Sequence, residues 1–171
     1  MQKCVFLDRD GVINKERGSY TYTIEHFQIL PGVPEGLKIL KDAGFLTIII
    51  TNQGGISKGL FTRQQMWQCH QYLIDCCPKL IDDIYYCPYH SSISESLSRK
   101  PDSLMLEKAI AKHGIDPSLS WMMGDRERDL EASIKMGIKF IQILDEVSFS
   151  QANFATNSLL EAAIYITKRK L

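Results

Sequence analysis

Two carboxylates two positions apart, Asp8 and Asp10, follow directly on the apolar run Cys4-Val5-Phe6-Leu7 and lead into Gly11. Like charges at the end of a buried strand are costly unless something positive lies between them. A magnesium ion, which takes carboxylate and phosphate oxygens while keeping several waters, supplies that charge. Gly11 lets the chain turn away sharply. The same residues would also serve a plain turn in which the aspartates cap the strand.

Three further clusters carry chemistry. Thr51-Asn52-Gln53-Gly54-Gly55 offers a hydroxyl, backbone N–H groups and glycines that allow close approach, which together can hold a phosphate. It is also ordinary turn composition. Arg99-Lys100-Pro101 places a lysine where it could offset charge on a transferring phosphoryl group, although a solvated basic pair reads the same way. In Gly124-Asp125-Arg126-Glu127-Arg128-Asp129, Asp125 can complete a metal site, and Asp129, one helical turn on, can orient it or a neighbour. Acidity at a helix N-terminus would explain Asp129 equally.

The elements that must position these groups read as alternating strands and helices. Apolar runs of strand length lie at residues 4–7, 45–50, 84–86, 121–123 and 140–143, with amphipathic stretches between them. That alternation predicts an α/β fold, a Rossmann-like parallel sheet sandwiched by helices. Thr62 with Gln65 and Ser158 with Glu161 are capping boxes, and Gly44, Gly114 and Gly137 close helices. Residues 91–98 and 146–157 read as irregular, the latter leading into a final helix. With no repeat or linker, residues 1–171 are expected to form one domain. Strands ending in Asp8, Thr51 and Asp125 would bring those groups to one crevice beyond the sheet's carboxyl edge.

Bulk properties exclude some functions. Lys plus Arg and Asp plus Glu each number 20, so there is no broad electrostatic pull toward nucleic acid or an anionic membrane. No apolar stretch approaches a membrane span, and Asp8, Arg9 and Asp10 interrupt any secretory leader, so a cytoplasmic protein is expected. The five cysteines then read as reduced thiols, mostly packing as small hydrophobes. A monomer acting on a small phosphorylated metabolite, without membrane or nucleic-acid partners, is the expectation.

Taken in order, DxDG at Asp8–Gly11, Thr51, Lys100 and GDxxxD at Gly124–Asp129 resemble the four motifs of the haloacid dehalogenase (HAD) superfamily. The resemblance implies that Asp8 is a phosphoryl-accepting nucleophile and Asp10 its acid and base. It implies Mg²⁺ held by Asp8, Asp10 (through its carbonyl) and Asp125. Thr51 and Lys100 then stabilise the phosphoryl group, Asn52, Gln53, Gly54 and Arg99 bind substrate, and Asp129 supports the metal site. Asp10 favours phosphatases, since dehalogenase members lack that second carboxylate. About forty residues separate Asp8 from Thr51 and about fifty separate Thr51 from Lys100, and core elements fill both stretches. A HAD-type core without a cap domain follows, its site walled by residues 14–24, 53–61 and 87–99.

The strings around Asp8, Thr51 and Arg99-Lys100-Pro101 resemble the capless branch that contains heptose-bisphosphate and histidinol-phosphate phosphatases. Ile13-Asn14 and Gly55–Gly59 look more like the heptose enzymes. That branch usually carries a structural zinc on Cys-x-His and a later Cys-x-Cys. Here Cys87 remains, but Tyr89, Ser96 and Ser98 stand at the other positions and His90 is out of register. Two ligands cannot complete a tetrahedral site, so no structural zinc is expected. Whether Cys87 and His90 bind any other metal is left open by the sequence. A nucleic-acid 3′-phosphatase or a non-catalytic module fits less well.

Overall fold

The computed structural model describes residues 1–144 and 149–168. The chain runs β1 (Cys4–Leu7), α1 (Val33–Asp42), β2 (Leu46–Asn52), α2 (Arg63–Cys76), β3 (Asp83–Cys87), α3 (Leu104–His113), β4 (Trp121–Gly124), α4 (Glu127–Lys135), β5 (Lys139–Ile143), β6 (Phe154–Thr156) and α5 (Leu159–Lys168). All six strands are parallel in the order β3-β2-β1-β4-β5-β6. The order reverses beside β1, so the crevice outside β1 and β4 is where such a sheet binds ligand.

Period-two alternation splits each central strand between two cores. Val5, Leu7, Ile49 and Met123 face α1, α2 and α5, where Leu37, Leu73 and Ala163 are buried. Cys4, Phe6, Ile48, Ile50 and Met122 face α3 and α4 through Leu106, Ala109 and Leu130. Burial on both faces explains why these strands read as unbroken apolar runs. The five cysteines are free thiols, four of them buried. Among the described residues, no helix is long and apolar enough to cross a membrane.

The expected strands are present with small shifts of boundary. Thr62 and Gln65 form the reciprocal capping box, while Ser158 accepts from the Glu161 amide and the Glu161 carboxylate turns instead to Thr156. Gly44, Gly114 and Gly137 have positive φ, as helix-closing glycines do. One strand was not expected. Phe154–Thr156, inside the stretch read as irregular, pairs with β5 at the sheet edge. It is short and only half-buried, so it carries no apolar run, and Phe154 is held by stacking on Tyr165 at 3.9 Å. Residues 146–148 of that stretch lie outside the described residues.

Candidate active site

β1, β2 and β4 end side by side and deliver the three polar strand ends together. The Asp8 amide donates to the Met123 carbonyl at 2.9 Å, tying the tip of β1 to β4. Gly11, at φ +90°, lies so close to Asp125 that a Cβ there would fall 2.5 Å from Asp125 Oδ2. Gly124 is similar, since its Cβ would sit 2.4 Å from that of Asp129. Neither position tolerates a side chain without displacing a carboxylate.

Asp8, Asp125 and Asp129 each offer a carboxylate oxygen within 4.8 Å of the others, and all three are buried. Burial first, then Asp129 and Asp125, push Asp8 up to about 7, against the pull of Lys100. Burial and Asp129 likewise raise Asp125 to about 6. Asp125 Oδ1 is buried without a hydrogen-bond partner. Crowded hard oxygens, one of them orphaned, are the donor set that Mg²⁺ accepts. Asp10 contributes no carboxylate to this cluster, in keeping with a role through its main chain.

Lys100 is almost fully buried, and its three ammonium protons have three partners. Asp8 Oδ1 lies at 2.9 Å, Asp129 Oδ1 at 2.6 Å and the Ile50 carbonyl at 2.7 Å. Burial opposes its charge, but Asp129 and Asp8 outweigh that and raise its pKa. Asp129 therefore orients Lys100 rather than Asp125, while its Oδ2 accepts from the Arg126 amide at 3.1 Å. Asn52 clasps the Lys100 main chain through two hydrogen bonds of 3.0 Å.

Asp10 is held by four donors. Oδ1 accepts from Arg9 Nη2 and Asn14 Nδ2, each at 2.9 Å, and Oδ2 accepts from Arg9 Nε at 3.2 Å and Gln53 Nε2 at 3.1 Å. Burial works against its charge, but Arg9 with these amides wins and lowers its pKa.

Several expected substrate ligands are placed differently. Gln53 is buried, its amide N–H is taken by the Cys87 carbonyl at 2.7 Å, and its side chain links Asp10 to Thr51 Oγ1. It is thus a brace between two other site residues. Gly54 packs against His90 and the Arg99 guanidinium, and Arg99 donates to the Tyr89 carbonyl at 2.9 Å. Asn52 does line the cavity of about 400 Å³ that contains Asp8, Asp10 and Thr51. So do Ser19 and Tyr20 of the first wall, with Phe61 of the second stacked on Tyr22 behind them.

Arg126 and Arg128 also line that cavity and were not foreseen. Arg126 pairs with Asp125 at 3.1 Å and approaches Glu16 at 3.7 Å. Arg128 Nε is buried without a hydrogen-bond partner. They alternate with acids between Gly124 and Asp129, and the resemblance to known motifs covers the acids alone. In the third wall Cys87 Sγ lies 3.7 Å from the Tyr89 carbonyl, His90 Nδ1 lies 2.9 Å from Ser92 Oγ, and the Ser96 and Ser98 hydroxyls are 2.8 Å apart.

Fold and site together define a capless hydrolase of the HAD type. Residues 97–159 match the HAD-hydrolase-like family. The D-glycero-beta-D-manno-heptose-1,7-bisphosphate 7-phosphatase of Haemophilus ducreyi is 34% identical, over 96% of this chain and 98% of its own. The enzyme of the same name from Escherichia coli is 35% identical over 78% of this chain and 74% of its own. The fold superposes on D,D-heptose 1,7-bisphosphate phosphatase from B. bronchiseptica, solved with magnesium and phosphate, with a TM-score of 0.87 at 22% identity, covering 96% of this chain and 98% of that one. The chain belongs to the HAD-like hydrolases, in the family that these two 7-phosphatases represent.

The raised carboxylates give a first expected result. In the metal-free protein Asp8 and Asp125 keep protons up to about pH 7 and 6, whereas unfolded aspartates lose them near 3.8. Their effect on metal-free stability is therefore most favourable at low pH and is lost as pH rises through 6 and 7. A divalent cation reverses that loss but competes with protons below it. The rise in melting temperature on adding magnesium should be small at pH 5.5 and large at pH 8. An equal rise at both would count against a site on these carboxylates.

Proposed function

We propose that this chain is a magnesium-dependent phosphatase that removes the 7-phosphate of D-glycero-D-manno-heptose 1,7-bisphosphate through an aspartyl-phosphate on Asp8. The observation that carries the reading is the convergence of Asp8, Asp125 and Asp129 around a fixed Lys100 at the strand ends. The names of relatives that align over nearly the whole chain support the substrate.

Asp8, Asp125 and the Asp10 carbonyl would hold Mg²⁺, which when bound offsets negative charge on the phosphoryl group. The Arg9 amide and Lys100 both engage Asp8 Oδ1, which leaves Oδ2 to attack phosphorus. As the Oδ2–P bond forms, the ester P–O bond breaks and the leaving alkoxide takes a proton through Asp10, which Arg9 holds ionised until the monoanionic phosphate ester hands it that proton. Asp10 then accepts a proton from water as the water oxygen bonds to phosphorus and Asp8 is released. Thr51 Oγ1 already accepts from Gln53 at 2.9 Å, so its own proton is available to a phosphoryl oxygen. Arg126 and Arg128 supply cationic walls for a second phosphate. The 87–99 wall is ordered by its own contacts without zinc, and the protein acts as one domain.

The substrate is tested by comparing kcat/KM for the heptose bisphosphate and histidinol phosphate. The two arginines favour the bisphosphate and repel the amine of the other compound. At least a tenfold preference for the bisphosphate, about 1.4 kcal/mol in transition-state binding, is expected. The reverse preference would overturn the substrate assignment and leave the catalytic one standing.

A further inference from the structure

Arg9 lies between the two reactive aspartates, yet the mechanism above uses only its backbone amide. Its side chain has no exposed surface. The guanidinium takes Asp10 with Nε and Nη2, and Nη2 also donates to the Thr21 carbonyl at 2.8 Å. Thr21 belongs to the loop whose Ser19 and Tyr20 line the substrate cavity. Phe27 covers the guanidinium 5.5 Å from its ring centre.

Behind Arg9 stands His70, on the buried face of α2 with Met66, Cys69 and Leu73. Its Nε2 lies 3.4 Å from Arg9 Nη1. Arginine can only donate, so Nε2 is the acceptor and Nδ1 carries the proton. Nδ1 is buried without a partner, and burial with Arg9 alongside drives His70 down to about 3, so it stays neutral. An apolar side chain would fill this place without an orphaned donor. The histidine is explained by what it does for Arg9.

We propose that Arg9, backed by His70, is the positioning residue for Asp10 and couples that acid–base carboxylate to the 14–24 loop over the substrate. A planar fork fixes both the direction and the rotation of a carboxylate, which a lysine cannot do. Because the same guanidinium holds Thr21, a shift of the loop is transmitted to Asp10. The inference rests on the reading of Asp10 as the group that protonates the leaving oxygen.

The test uses leaving groups. An alkyl phosphate, either the heptose bisphosphate or histidinol phosphate, needs that proton, whereas 4-nitrophenyl phosphate does not. In Arg9→Lys and His70→Leu the ratio of alkyl to aryl kcat should fall at least about tenfold, and His70→Gln, which restores an acceptor, should recover to within about threefold of wild type. Asp10→Asn sets the scale. If it leaves the ratio unchanged, the acid role falls and the inference with it. If Asp10→Asn collapses the ratio while Arg9→Lys and His70→Leu lower both substrates equally or not at all, the inference alone is wrong. Failure of both variants to fold would assign the pair to stability and overturn it as well.

Discussion

Replacing Asp8 by Asn is expected to abolish turnover while leaving the fold as stable as before, or more so, in the absence of metal. Asn keeps the shape of the side chain but cannot form the aspartyl-phosphate on which turnover depends. A loss of at least about 10³-fold in kcat, ~4 kcal/mol of barrier, is expected. The stability prediction comes from the same carboxylate. Asp8 is pushed up to about 7 by burial and by Asp129 and Asp125, so above that pH its charge weakens the metal-free fold. Asn removes that cost, and Lys100 keeps Asp129 as its counter-ion at 2.6 Å. The expected pattern is an inactive protein whose melting temperature without metal, at pH 8, is unchanged or raised, and whose stabilisation by magnesium is much reduced. Turnover within tenfold of wild type, with deamidation excluded by mass spectrometry, would remove the covalent mechanism.

The sequence revealed the site most clearly where a chemical group coincides with the end of an apolar run. Asp8, Thr51 and Asp125 each follow several buried residues, and a parallel sheet can only bring such ends together. Lys100 was legible through its place before α3. Its three-way engagement was not, because Ile50 lies fifty positions away in the chain. Period and spacing do not encode which side chain turns toward which. Gln53 illustrates this limit: glycines beside it suggested a phosphate loop, but β3 claims its amide through Cys87 and Asp10 claims its side chain. Arg9 and His70 are sixty-one positions apart and meet only because α2 packs over the end of β1. Edge strand β6 is illegible for a different reason, since two half-buried residues flanking the exposed Ala155 leave no hydrophobic signature.

Lys100→Met should produce the largest loss of stability of any single change at the site. The side chain is 1% exposed and serves three acceptors, two of them carboxylates with almost no exposed surface. Methionine fills much the same volume, so cavity formation contributes little. The cost comes from leaving Asp8 and Asp129 beside Asp125 with no buried cation among them. Breaking a buried pair by removing one partner costs about 3–5 kcal/mol. For a chain of this size that corresponds to a fall in melting temperature of roughly 10 °C. The sign with pH follows from Asp8, which loses its counter-ion and is pushed further above its ordinary value. The deficit should therefore shrink as the pH is lowered and Asp8 takes up a proton, and grow toward pH 8. Magnesium should recover part of it, because the cation supplies positive charge to the same oxygens, but turnover should stay at least about tenfold low for want of a fixed charge beside the phosphoryl group. Thermal melts of wild type and variant at pH 5.5 and 8, with and without magnesium, measure all of this. A variant that melts within a degree or two of wild type at pH 8 without metal would show that Asp8 and Asp129 do not depend on Lys100 for their charge.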